Sequence, residues 1–251
     1  MITLDKGPRL IELSPKQWQS SPEEPFFIRQ FNPNSFKDRI RTQIMHLHPK
    51  VQAEMDTSEE TNEEGLVDST NVFLERGEDQ KENPIALYAV TDDEGEAIGW
   101  VEYYTDKDNP LPDDISKNLS LTPEDLVLQV SYEKLLSEGW PEYLLHIDRE
   151  LSEAVLNTDR KGVIVSGLRQ TMLDLRRKEN FISSQSAEPP RRIVIYAYTD
   201  LDNKASEKVL EKNGFALDET IRTYHEEPNA KEPTGKPNHL WYKELKDSEP
   251  Q

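Results

Sequence analysis

The sequence predicts an α/β chain built around one central sheet, with antiparallel pairing early and a strand–helix–strand unit late. Three stretches carry that prediction. "PIALYAVTDDEGEAIGWVEYYTD" (84–106) has two apolar and aromatic runs flanking "TDDEGEA", whose polar and glycine content suits a hairpin connection. "RIVIYAYTD" (192–200) reads as a buried strand. "NKASEKVLEKNGF" (203–215) then reads as a helix that stops at a glycine.

The remaining elements follow in order. "FFIRQFNPNSFKDRIRTQIMHLH" opens with a short apolar run, and Phe36, Ile40, Ile44 and Leu47 then recur at helical spacing, which predicts strand then helix. An acidic stretch, nearly free of apolar residues, is expected to be a mobile loop over 52–65. "LVDSTNVFLERG" predicts a short helix ending at Gly77. After the hairpin, residues 106–145 read as a helical insertion. Its helix is expected to start at Thr122, with Pro123 at the first position and Glu124 and Asp125 in the first turn. A strand is expected over Leu151–Asn157. Val165, Leu168, Met172 and Leu175 predict the helix after it, "PNHLWYKEL" predicts a last strand, and residues 246–251 are a short tail. No internal repeat is visible, and the whole of 1–251 reads as one domain.

Composition limits the function classes. The chain of 251 residues is 34% hydrophobic and 31% charged, enough for a real core with generous polar loops. No apolar run approaches the roughly 20 residues of a membrane helix. The amino terminus lacks the apolar core of a signal peptide, so the expectation is a cytoplasmic protein without membrane partners. The absence of cysteine excludes disulfides, thiolate metal sites and a cysteine nucleophile, and no metal site is expected. A net charge of -19 argues against nucleic acid, whose phosphates it would repel. It is compatible with a cationic partner such as an amine, and equally with solubility alone.

One turn stands against that acidity. In "NTDRKGVIVSGLRQ" the chain turns through Arg160, Lys161 and Gly162 and a helix begins. Residues 160–178 hold six basic side chains against one acidic, a local net of +5. A helix start with unpaired N–H groups and a positive dipole end suits a phosphate. An ordinary helix with a solvated basic face fits the same residues. Neither the Walker nor the three-glycine dinucleotide pattern is present.

Together, "DRKGVIVSGL" and "NKASEKVLEKNGF" resemble the GCN5-related N-acetyltransferase (GNAT) superfamily, in its RimJ/RimL-like branch. The second motif carries Asn203, Ser206, Leu210, Glu211, Lys212, Gly214 and Phe215 at the branch's positions. The resemblance covers about residues 84–105 and 145–245. It implies a GNAT-like, mostly antiparallel sheet with a splayed strand pair, flanking helices and acetyl-CoA as acyl donor. It also implies that the pyrophosphate meets the N–H groups of Val163, Ile164, Val165, Ser166 and Gly167 beside Arg160, Lys161 and Gly162. The pantetheine arm would pair with Val155 and Leu156, Asn203 would bond the cofactor, and Ser206 would face the thioester sulfur. Departures from the family pattern are Asp159 at its first position, Ile164 where a small residue is usual, Ser166-Gly167 in place of Glu-Ala, and Leu210 where many members have a tyrosine. Ile164 is expected to narrow the site.

Acetyl transfer to an amine needs a base, a polarised carbonyl and a protonated leaving thiolate. Ser206 is the candidate acid. Glu150 and Glu153 are candidate bases, with Glu153 preferred and His146 further upstream. The acceptor is expected to be a small-molecule or peptide amine. Other readings fit as well: Asn203 as a helix cap, Ser206 as an exposed first-turn residue, and the chain as a catalytically silent binding or regulatory protein of the same fold, or an acidic interaction protein.

Overall fold

The computed structural model describes residues 9–10, 26–31, 86–92, 95, 97–106, 109–134, 162–175, 181–182, 191–225 and 235–245. The predicted hairpin forms as β3 (Ala86–Thr91) and β4 (Ala97–Tyr104), antiparallel with Tyr88 opposite Val101. Ahead of them lie β1 (Arg9–Leu10) and β2 (Phe27–Gln30), the latter pairing antiparallel with β3. Helix α1 (Asp113–Asn118) and strand β5 (Leu126–Lys134) follow. Helix α2 (Val163–Leu175) leads to β6 (Phe181–Ile182), which pairs with β1. Then come β7 (Ile193–Asp200), α3 (Lys204–Lys212), β8 (Ala216–Leu217), β9 (Arg222–His225) and β10 (Gly235–Leu245).

The main sheet runs β2-β3-β4-β5-β7-β10-β8, with β9 also on β10. All its pairs are antiparallel except β5 with β7. The mixed, mostly antiparallel sheet expected from the sequence is present, with α2 and α3 packed on one face and α1 on the other. Strand alternation decides which side chains reach which face. Leu128, Val130, Ile193, Ile195 and Ala197 join Leu168, Met172 and Leu175 of α2 in the larger core. Val194, Tyr196 and Leu240 pack with Leu111 and Ile115 of the α1 segment on the reverse face.

Two expectations are corrected here. The helix from Thr122 is absent. Residues 122–125 form a turn, closed by Asp125 N–H on Thr122 O at 3.0 Å, and the Asp125 carboxylate accepts from the Thr122 N–H at 2.7 Å. Residues that resemble a capped helix start here cap a turn instead. The run "LVLQVSYEK" after it is apolar or aromatic at alternate positions (Leu126, Leu128, Val130 and Tyr132) and lies between two strands, so it extends as β5. The insertion 106–145 therefore supplies a central strand, described as far as Lys134.

The second correction follows from the first. β7 is flanked by β5 and β10, so the strand beside 192–200 is Leu126–Lys134 rather than Leu151–Asn157. Residues 151–157 lie outside the described residues. So do the helices predicted over 36–47 and 66–77, the loop 52–65 and the tail 246–251.

Buried polar bonds fix α2 on the sheet. Tyr88 O–H donates to Asp174 Oδ2 at 2.8 Å, the Tyr103 and Thr171 hydroxyls are 2.7 Å apart, and Gln170 Nε2 donates to Phe26 O at 2.8 Å. These bonds reach β3, β4 and the segment entering β2. Gly167 closes the same interface by packing. A Cβ there would lie 2.5 Å from Val90 Cγ2, so only glycine lets helix and strand approach so near.

Candidate active site

The central strands run together and then part. β5 and β7 pair in parallel from Leu126 opposite Ile193 to Gln129 opposite Tyr196, and their ladder ends there. β5 continues along β4 as far as Lys134, while β7 continues along β10 as far as Asp200. The two strands thus border a split whose facing backbone edges have no strand partner among the described residues. Such edges are ready to hydrogen-bond an extended ligand.

Helix α3 roofs this split on the α2 face. Asn203 is its N-cap, with Oδ1 accepting from Ser206 N–H at 3.0 Å. The Ser206 hydroxyl is 2.6 Å from the Tyr132 hydroxyl, and Tyr132 O–H also lies 3.3 Å from Ser206 O. Tyr132 stands three residues past Gln129, on the β5 wall of the split. Its side chain therefore reaches across to the α3 roof. Burial pushes its pKa well above the usual tyrosine range, and the bond to Ser206 only partly offsets this.

The rest of α3 is structural. Gly214 at φ 72° and Phe215 close the helix as a Schellman motif: Phe215 N–H donates to Leu210 O at 3.1 Å and Gly214 N–H to Glu211 O at 2.9 Å. Leu210 is fully buried in the core. Glu207 ties the helix to β10 through His239 Nδ1 at 2.7 Å. An open cleft of about 600 Å³ lies at the α3 N-terminus, lined by Asp200, Leu201, Asn203, Lys204, Lys236 and Pro237 among others.

At α2, Gly162 has φ 90°, a region only glycine adopts without strain, and a Cβ on it would meet nothing within 4 Å. The first turn leaves the N–H groups of Val163, Ile164 and Val165 ahead of the intrahelical bonds, which begin with Ser166 N–H on Gly162 O at 2.9 Å. Ser166 is buried, with Gln170 Nε2 donating to its Oγ at 3.0 Å, and Gly167 faces Val90. Both therefore serve the helix and its packing rather than the turn. Ile164 is also buried in the core, so its side chain does not narrow the turn.

Of the residues expected to form the site, Asn203 and Ser206 come together at the split, and Gly162 to Val165 form the α2 turn. Glu150, Glu153, Val155, Leu156, Arg160 and Lys161 lie outside the described residues, as does His146. The strand that pairs in parallel with β7 ahead of the split is β5. On the reverse face, Tyr104, Gln129 and Tyr196 are in register across β4, β5 and β7, and Ser131 O–H donates to Glu102 Oε2 at 3.3 Å. Gln129 is buried, and its Oε1 has no partner among the described residues. Sequence reasoning missed Tyr132, Gln129 and Glu102. The alternation of "LVLQVSYEK" was the signal available for the first two.

Among the described residues no helix is long and apolar enough to cross a membrane. No protein-family model and no curated protein matches the chain. Among solved structures, the chain is similar to RimL, a ribosomal L7/L12 α-N-protein acetyltransferase in complex with coenzyme A, at 13% identity and TM-score 0.49 over 93% of this chain and 100% of that one. It is similar to the microcin C7 self-immunity acetyltransferase MccE in complex with acetyl-CoA and AMP, at 13% identity and TM-score 0.49 over 88% and 93%. It is also similar to the ribosomal-protein-S5-alanine acetyltransferase of Vibrio fischeri, at 16% identity and TM-score 0.45 over 94% and 100%.

Proposed function

We propose that the chain is an acetyl-CoA-dependent N-acetyltransferase of GNAT type, transferring an acetyl group directly to a primary amine. The observation that carries this reading is the split after the Gln129–Tyr196 pair, roofed by Asn203 and Ser206. A slot with a free strand edge suits the amides of a pantetheine arm. The turn at Gly162, with the N–H groups of Val163 to Val165, suits a pyrophosphate. The residues therefore fit the cofactor, with β5 in the role expected of residues 155 and 156. When bound, acetyl-CoA supplies the acetyl group and a sulfur leaving group.

The chain's own groups divide across the sheet. Ser206 lies on the α2 face and serves the leaving sulfur. Glu102, opposite Ser131 two residues past Gln129 on the reverse face, serves as base. Glu153 keeps the same role as an alternative. Tyr104 and Glu102 on that face favour a cationic amine, through an aromatic face and negative charge. Arg160 and Lys161 add charge beside the Gly162 turn.

Isothermal calorimetry with acetyl-CoA tests the reading, and the expected outcome is saturable binding at micromolar concentrations. No heat at millimolar acetyl-CoA removes it. The silent-module reading draws on the bulk of Ile164 and on the undetermined base; the burial of Ile164 in the core weakens the first of these grounds.

A further inference from the structure

Resting on the acetyl-CoA reading above, we propose that Tyr132 is a positioning residue for Ser206, holding the serine oxygen so that its hydrogen is directed into the split. The two hydroxyls are 2.6 Å apart and belong to residues 74 positions apart in sequence. They meet only because β5 and β7 have already separated, leaving the Tyr132 side chain to cross from wall to roof.

The direction of the bond follows from chemistry. A phenol is the better donor and an aliphatic hydroxyl the better acceptor, and of the two acceptors in reach Ser206 Oγ at 2.6 Å is nearer than Ser206 O at 3.3 Å, so we assign the Tyr132 hydrogen to Oγ. Ser206 has one hydrogen, and with its oxygen held from the Tyr132 side that hydrogen is left for a third group. Its backbone is fixed by the Asn203 cap, so the hydroxyl is constrained at both ends. Burial keeps Tyr132 protonated, and it therefore gives a hydrogen bond rather than a proton. In the transfer the C–S bond breaks, a C–N bond forms, the amine loses one proton and the sulfur gains one. Glu102 takes the amine's proton, Ser206 gives its hydroxyl proton to the sulfur and regains one from solvent water, and Tyr132 keeps its own. With Leu210 sealed in the core, α3 itself offers no phenol at that position, and the strand opposite provides one.

The test compares binding of CoA and desulfo-CoA, which lacks the sulfur, by calorimetry of the intact protein, with no acceptor needed. The wild type is expected to bind CoA about fivefold tighter than desulfo-CoA, the worth of one hydrogen bond. Tyr132→Phe keeps the ring that packs on the core, and should bring the ratio towards one while leaving desulfo-CoA affinity unchanged. Ser206→Ala should do the same, and the double variant should be no worse than Ser206→Ala alone. A merely structural Tyr132 would lower the melting temperature and leave the ratio at its wild-type value, which overturns the assignment. A wild type that binds both ligands equally overturns the Ser206 contact, and the role of Tyr132 with it, while leaving cofactor binding intact. A wild type that binds neither ligand removes the acetyl-CoA reading itself.

Discussion

Arg192 clasps Asp125 at the end of the sheet where β5 and β7 are still paired, with Nε 3.0 Å from Oδ1 and Nη2 donating to Oδ2 at 3.1 Å. The same guanidinium donates to Leu119 O and Ser120 O and lies 3.5 Å from Glu244 Oε1. One side chain thus joins β5, β7, β10 and the segment after α1 at the closed end of the split.

That clasp predicts a pH dependence. Burial raises the Asp125 pKa, but the bonds from Arg192 and Thr122 outweigh it and hold the carboxyl below the usual aspartate range. A folded pKa below the unfolded one contributes stability that is fully present at neutral pH. The contribution declines as pH falls through about 4 and is lost below the folded value. Asp125→Asn should cost about 1 kcal/mol at pH 7 and flatten this acid limb. Urea unfolding at pH 7 and pH 3 checks both, and a variant with the wild-type acid limb would sink the argument.

Gly167→Ala should destabilise by about 1–3 kcal/mol, because its methyl would enter the space of Val90. Val90→Ala in the same chain should recover most of that loss. Thermal melts of the two singles and the double read the coupling directly, and additive losses would exclude it.

Gly162→Ala and Gly214→Ala both force a side chain into a positive-φ position, at 90° and 72°, and each should cost about 1 kcal/mol. They should differ in binding. Only Gly162→Ala, at the α2 turn, is expected to weaken CoA, and matched losses in both would reduce Gly162 to a turn residue.

Asn203→Asp keeps the cap acceptor for Ser206 N–H, so stability should hold, while the lost amide donor and added charge weaken CoA binding. Asn203→Ala should lose both, with about 1 kcal/mol from the cap. Unchanged CoA affinity in Asn203→Asp would leave the residue a cap alone.

The hairpin at 86–104 and the unit from Ile193 to Phe215 were legible because their signals are local: alternation, a polar turn, an asparagine cap and a glycine stop. β5 was not. "TPED" has the composition of a helix start, and an apolar run of this length suits strand or helix until its neighbours are known. With β5 placed, the strand that parts from β7 is 126–134, while 151–157, where that strand was expected, lies outside the described residues. Tyr132 was hidden for a related reason, since its contact with Ser206 spans 74 residues and no spacing rule reaches that far. Ile164 shows the opposite error: a bulky residue at a motif position read as an obstruction, although its helix face turns it inward.

The buried bonds of α2 run to β3, β4 and Phe26, none of which borders the β7 side of the split. The apolar face of α2 also packs on Ile193, Ile195 and Ala197 of β7, and Asn213 Nδ2, just past α3, donates to Val165 O at 3.3 Å. The two halves of the sheet are thus leaves of one book, bound along the spine by a shared core as well as by Arg192. A cofactor bound as proposed would meet both the Gly162 turn and the α3 cap, so filling the gutter would draw on both pages at once.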